Sequence, residues 1–214
     1  MFRVLQAPYR SSDADNLDQM YRLRKRVFID QLDWSLQHCP AGLERDRYDA
    51  MDPVYIVWTD DRTGTLLGST RLMPTTGPTL LYDVFGETFP DAACLASPGI
   101  WEATRTCVDC KAIAALRPDI SASDAFATLC LAIIECGRAH GIHTIVSNYE
   151  PHMKRVYRRA GLKLDEVGRA DGYGRLPVCC GIFDISPPVE AAVREKLGLA
   201  GPLFAPIFSE RAAA

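Results

Sequence analysis

The sequence predicts a mixed α/β (α+β) fold, with a strongly twisted central sheet and helices packed on both of its faces. Three observations predict it. Short strand-like runs alternate with helical periodicities, glycine- and proline-rich turn signals separate them, and no repeat, low-complexity tract or linker interrupts the order. At 214 residues the chain reads as a single domain over 1–214, with an irregular C-terminal tail from about residue 200. The formal net charge of −3, with 48% hydrophobic and 24% charged residues, excludes a disordered chain, a collagen-like chain and a broadly basic nucleic-acid binder.

Each element has its own warrant. Phe2 to Gln6 is the first strand, and Ser12 or Asp13 caps a helix running to about Leu32. Val54–Thr59 and Leu66–Met73 form a hairpin, since Asp60-Asp61-Arg62-Thr63-Gly64 supplies the residues a chain reversal needs. Pro74, Pro78, Pro90 and Pro98 then punctuate a loop with one short helix at Leu80 to Phe85. Trp101–Val108 is the next strand, and Lys111 to Pro118 reads as loop ahead of a helix that Ser121 or Ser123 caps and that runs to about His140. Thr144–Tyr149 is a strand, Pro151 opens a helix that Gly161 stops, and Leu164–Val167 and Val178–Ile185 complete the sheet.

The longest apolar run, Leu129 to Ile134, is far short of the roughly 20 residues that span a bilayer, so no transmembrane helix is expected. Met1 to Pro8 reads as strand rather than signal peptide, and a cytoplasmic location is expected. Among the eight cysteines, Cys107-x-x-Cys110 with His140-x-x-His143 imitates a zinc spacing. The pairs belong to separate elements, so the cysteines read as reduced, small apolar residues and no metal site is expected.

Charged residues fall where apolar ones belong. In the first helix Leu17, Met20, Tyr21, Val27 and Phe28 form a buried stripe, and Arg24 lies inside it, four residues from both Met20 and Phe28. A guanidinium cannot shed its charge, so it needs carboxylates or an anionic ligand to offset desolvation. Glu44, Asp46, Asp49 and Asp52 are the candidates. In the third strand, Leu67, Ser69, Arg71 and Met73 share one face and Leu66, Gly68, Thr70 and Leu72 the other. Glu102 and Arg105, three apart on the next strand, can share a site only across a bulge or twist. Charges placed inward on two strands and a helix point to one polar cleft.

Leu23-Arg24-x-x-Val27-Phe28, Trp34, Glu44-x-Asp46-x-Tyr48-Asp49, Ser69-x-Arg71-Leu72-x-Pro74-Thr75 and Trp101-Glu102-x-x-Arg105 together resemble the acyl-homoserine-lactone synthases, the LuxI-type autoinducer synthases. The resemblance covers about residues 1 to 110; residues 121 to 185 match only in their helix, strand, helix, strand plan. It implies an N-acetyltransferase-like fold and an enzyme that makes an N-acyl-L-homoserine lactone quorum-sensing signal. The substrates it implies are S-adenosylmethionine and an acyl thioester, the donor being acyl carrier protein or acyl-CoA. S-adenosylmethionine is then a substrate, no cofactor is implied, and methylthioadenosine is released.

The same resemblance carries over Arg24, Phe28, Trp34, Glu44, Asp46 and Asp49 as the S-adenosylmethionine cleft, with Glu102, Arg71 and Arg105 as the catalytic group. The chemistry suits these residue types. An amine attacks a thioester only when neutral, so a carboxylate must take its proton, and Glu102 is the choice. Arg71 and Arg105 would orient carboxylates, Asp46 and Asp49 suit a sulfonium and ammonium substrate, and Trp34 and Phe28 offer it cation-attracting faces. Thr104, Val146 and Ser147 are expected to line the acyl-chain pocket. Lys154, Arg155, Arg158 and Arg159 form a basic helical face suited to docking an acidic carrier. The glycine-free segment before Ser121 lacks the turn that usually binds the pyrophosphate of coenzyme A, which favours the carrier protein. An acetyl-CoA-dependent N-acetyltransferase and a non-enzymatic small-signal binding module are the alternatives.

Overall fold

The computed structural model describes residues 1–34 and 42–204. Seven strands form one sheet: β1 (Phe2–Leu5), β2 (Val54–Thr59), β3 (Leu66–Pro74), β4 (Ile100–Val108), β5 (Thr144–Tyr149), β6 (Asp165–Ala170) and β7 (Val178–Asp184). Their order is β1-β2-β3-β4-β5-β7-β6, antiparallel throughout except for β4 and β5. The helices are α1 (Ala14–Arg24), α2 (Leu80–Asp83), α3 (Cys110–Leu116), α4 (Ala122–Ala139), α5 (Met153–Arg159) and α6 (Pro187–Leu197).

The central strands are apolar on both faces because both are covered. On one face α4, buried without a break from Ala125 to Ile134, packs with Ile56, Leu67, Leu72, Ile145 and Phe183 and touches α3, α5 and α6. On the other, Met20, Tyr21 and Leu23 of α1 pack with Phe28 against Tyr55, Val57 and Cys107. The site forms on this second face.

The predicted strands recur within one to three residues at their ends, and the hairpin forms with Asp60 accepting from the amides of Arg62 and Thr63. Ser121 caps α4 by accepting from the Asp124 amide. The first helix does not run uniformly to Leu32. It becomes a π-helical stretch at Lys25–Gln31, which turns Phe28 inward. The segment expected as loop after residue 110 contains α3, whose cap, Asp109, accepts from the Lys111 and Ala112 amides. Helix α6 is an element the sequence reading did not assign, between the last strand and the tail expected from about residue 200. Ser186-Pro187-Pro188 starts it and Gly198, at φ +65°, ends it.

Two irregularities place the site. Between Trp58 and Thr59 the β2–β3 register slips, so Leu66 packs with Tyr55 while Leu67 packs with Leu72 on the opposite face. This corrects the expected grouping of Leu67 with Arg71. Between Ser69 and Arg71 the β3–β4 register slips again, opposite Arg105 at φ +53°. That bulge brings Arg105 onto the face of Glu102 and Thr104.

Candidate active site

The inward charges meet in one cluster of three guanidinium groups and three carboxylates. Arg24 donates from Nε to Glu44 at 2.5 Å and from Nη1 and Nη2 to the two oxygens of Asp49 at 2.8 and 3.0 Å. Arg71 donates from Nε to the Thr104 hydroxyl at 3.0 Å, from Nη1 to Asp46 at 2.5 Å and Asp49 at 3.0 Å, and from Nη2 to Asp46 at 3.0 Å. Arg105 donates to Glu44 at 3.2 Å and to Asp46 at 3.0 Å. Arg24, Glu44 and Arg71 are each at most 1% exposed, so the segment Glu44 to Asp49 turns Glu44, Tyr48 and Asp49 into the interior while Arg45 and Arg47 stay exposed.

Burial opposes the charge on Arg24, but Asp49 and Glu44 outweigh it and raise its pKa. Asp49 shows the converse: burial pushes it up, but Arg24 and Arg71 hold it below the ordinary carboxylate range. Arg105 adopts a backbone conformation that costs a non-glycine residue about 1–3 kcal/mol. Its ion pairs, and the Phe28 ring 5.6 Å from its guanidinium carbon, offset that cost.

The Asp49 carboxylate is engaged within the cluster. Its oxygens accept from Arg24, Arg71, the Tyr55 hydroxyl at 2.6 Å and the Asp46 amide at 2.8 Å. These bonds tie Asp49 to both arginines. Asp46, whose side chain is 16% exposed, is the carboxylate that reaches the surface of the cluster. Tyr55, which sequence reasoning missed, faces Arg71 in register on β2 and packs edge-on to Tyr21. No signal in the sequence separates it from any other core tyrosine.

Glu102 lies next to the cluster with its own environment. It is fully buried, and its oxygens accept from the Leu80 and Leu81 amides at 3.0 and 2.7 Å, at the start of α2. Burial raises its pKa to about 7, against the lowering effects of those amides and of Arg71 and Arg105. A carboxylate poised there can exchange a proton near neutral pH. The Phe28 and Trp34 rings pack at a tilt of 35° with centroids 5.1 Å apart, and Trp34 Nε1 donates to Glu150 at 2.9 Å, tying the end of the first helix to the turn after β5.

The residues expected around an acyl chain separate. Glu102 pairs with Val146 at the last position where β4 and β5 pair, and Val146 packs with Leu81, Ala92, Leu95 and Cys180 on the face of the cluster. Ser147, the next residue, faces the other way and donates from Oγ to the Ala103 carbonyl at 3.0 Å. Thr104 and Val146 therefore share one side of the sheet and Ser147 belongs to the other, because neighbours on a strand alternate. Lys154, Arg155, Arg158 and Arg159 are exposed on α5, and Lys154 is paired with Glu166. Cys107 is buried in β4 while Cys110 is exposed at the start of α3. Among the described residues no group of three or more His, Cys, Asp or Glu is placed to hold a metal, and no helix is long and apolar enough to cross a membrane.

Residues 9–192 match the family model described as autoinducer synthase. An acyl-homoserine-lactone synthase of Rhizobium etli is 38% identical over 189 residues, covering 87% of this chain and 85% of that protein. A CoA-dependent acyl-homoserine lactone synthase solved with SAM and isopentyl-CoA superposes with a TM-score of 0.77 at 25% identity, over 94% of this chain and 90% of that one. An acyl-CoA N-acyltransferase from Pseudomonas aeruginosa shares the fold, with a TM-score of 0.51 at 14% identity over 85% of this chain and 98% of that one.

Proposed function

Because this chain belongs to the autoinducer synthase family and is an acyl-homoserine-lactone synthase, we propose that it joins S-adenosylmethionine to an acyl group carried by acyl carrier protein, with Glu102 as the general base. The observation that carries this reading is the buried Glu102, with its pKa near 7, beside the arginine–carboxylate cluster. The substrate ammonium gives a proton to the Glu102 carboxylate, directly or through a water. The freed amine attacks the thioester carbonyl carbon, the C–S bond breaks, and the thiol leaves with a proton. The methionine carboxylate then attacks its own Cγ, the bond to sulfur breaks, and methylthioadenosine departs as the lactone closes. Nothing in this sequence requires a metal or a cofactor.

Arg71 and Arg105 hold the cluster and direct positive potential at the substrate carboxylate. Arg24, Glu44 and Asp49 fix those two arginines, while Phe28, Trp34 and Asp46 face the cationic part of the substrate. The acyl chain runs past Thr104 and Val146.

Two features favour the carrier protein over coenzyme A. Arg155, Arg158 and Arg159 are exposed on one helix, a charge pattern that attracts an acidic protein. The first amides of α3, where a pyrophosphate would bind, are already taken by Asp109, itself paired with Arg26. Incubating the purified protein with S-adenosylmethionine and an acyl-carrier thioester tests the reading by mass spectrometry. Lactone and methylthioadenosine are expected in equal amounts. Acylated amine without methylthioadenosine would indicate a plain acyltransferase, and no turnover a binding module.

A further inference from the structure

Asn148 lies two residues beyond Val146 on β5, on the same face, just past the point where β4 and β5 cease to pair. Its Nδ2 donates to the Thr88 hydroxyl oxygen at 3.1 Å. That hydroxyl gives its own hydrogen to the Phe85 carbonyl at 2.6 Å, so its oxygen can only accept from Asn148. The orientation of the amide is thereby set, with Oδ1 pointing away from Thr88. Thr88 is held in turn: it is buried, and β6 crosses it so closely that a Cβ on Gly168 would lie 2.1 Å from its carbonyl oxygen.

Oδ1 of Asn148 is buried and has no hydrogen-bond partner among the described residues. An unmet acceptor in such a place costs about 1–3 kcal/mol, and no strand contact calls for one here. On β4 the position two residues beyond Glu102 is Thr104, whose hydroxyl already accepts from Arg71. The unpaired stretch thus begins just past Glu102, with Thr104 on one strand and a fixed, unused acceptor on the other.

We infer that Asn148 is a substrate-binding residue whose Oδ1 accepts an N–H from a substrate seated between β4 and β5, and that Thr88 is its positioning residue. The inference rests on the synthase reading above. Both substrates of that reaction carry N–H donors: S-adenosylmethionine at its α-amine and its adenine amino group, and the pantetheine arm that holds the acyl group at its amides.

Steady-state kinetics with each substrate varied in turn distinguishes them. Loss of one hydrogen bond should raise one Michaelis constant in Asn148→Ala by about 3- to 10-fold, with a smaller change in kcat. A rise for S-adenosylmethionine assigns that substrate as the donor, and a rise for the thioester assigns the arm. Thr88→Val should raise the same constant by a smaller factor, and the double variant should be no worse than Asn148→Ala alone. If Asn148→Ala does not fold, Thr88→Val carries the test. Wild-type turnover with both constants unchanged in the variants overturns this inference alone; absence of lactone and methylthioadenosine from the wild type overturns the synthase reading and this inference with it.

Discussion

A single carboxylate and a single guanidinium make the site sensitive to conservative changes. Glu102→Gln keeps the shape but cannot take the amine proton, and lactone formation should fall by about 10² to 10⁴-fold. In the wild type kcat/KM should rise with pH through about 7 as Glu102 ionises, and that limb should vanish in the variant. A pH–rate profile checks both. The stability effect has a definite sign. Because burial raises Glu102 above its ordinary value, the native state holds that proton more tightly than the unfolded chain, so its contribution is complete at acid pH and is lost as pH rises through about 7. Asp49 acts in the opposite sense, stabilising above the ordinary carboxylate range and losing that contribution as pH falls through its lowered pKa. Arg24→Leu preserves the apolar stripe but takes one of two buried arginine partners from each carboxylate, leaving Glu44 to Arg105 and Asp49 to Arg71, at a cost of about 3–5 kcal/mol. Denaturant melts should show that loss together with loss of activity; a variant as stable as wild type would remove Arg24 from the cluster.

At the level of elements, β3 and β4 supply Arg71, Glu102 and Arg105, and the irregularity between these strands sets the geometry of the cluster. The inward Arg24 was legible because a charged residue breaks a 3.6-residue stripe, and the need for a bulge at Arg105 was legible from its odd spacing to Glu102. Which way the β2–β3 register slips was not, because it depends on how Leu66 and Leu67 fill opposite cores. Helix α3 escaped because its cap, Asp109, continues directly from a strand. The alternation of β5 makes a testable division. Enlarging Val146 or Thr104 should shift the lactone profile to shorter chains, with the Michaelis constant for S-adenosylmethionine changed less than twofold; mass spectrometry of the products reads the outcome. Away from the site, Ser121→Ala removes the bond to the Asp124 amide and should cost about 1 kcal/mol of stability while leaving kcat unchanged.

Over the whole molecule the net charge is negative, yet α5 exposes Arg155, Arg158 and Arg159. Such a local field raises the association rate of an acidic carrier and weakens with salt. Reversing Arg155 and Arg159 to Glu should raise the Michaelis constant for acyl carrier protein, reduce its salt dependence and leave the constant for S-adenosylmethionine unchanged. Rapid turnover with acyl-CoA, indifferent to these charges, would refute the docking assignment. The sequence by itself determined the mixed fold, the inward charges and the family, because periodicity, turn chemistry and motif spacing are properties of neighbours along the chain. It took the tertiary structure to show that Asp49 bonds both Arg24 and Arg71, that Val146 and Ser147 face apart, and that Asn148 keeps an unused acceptor. Those outcomes depend on which distant groups share the same low-dielectric space, and on which hydrogen-bonding capacity is left over once the chain has closed on itself.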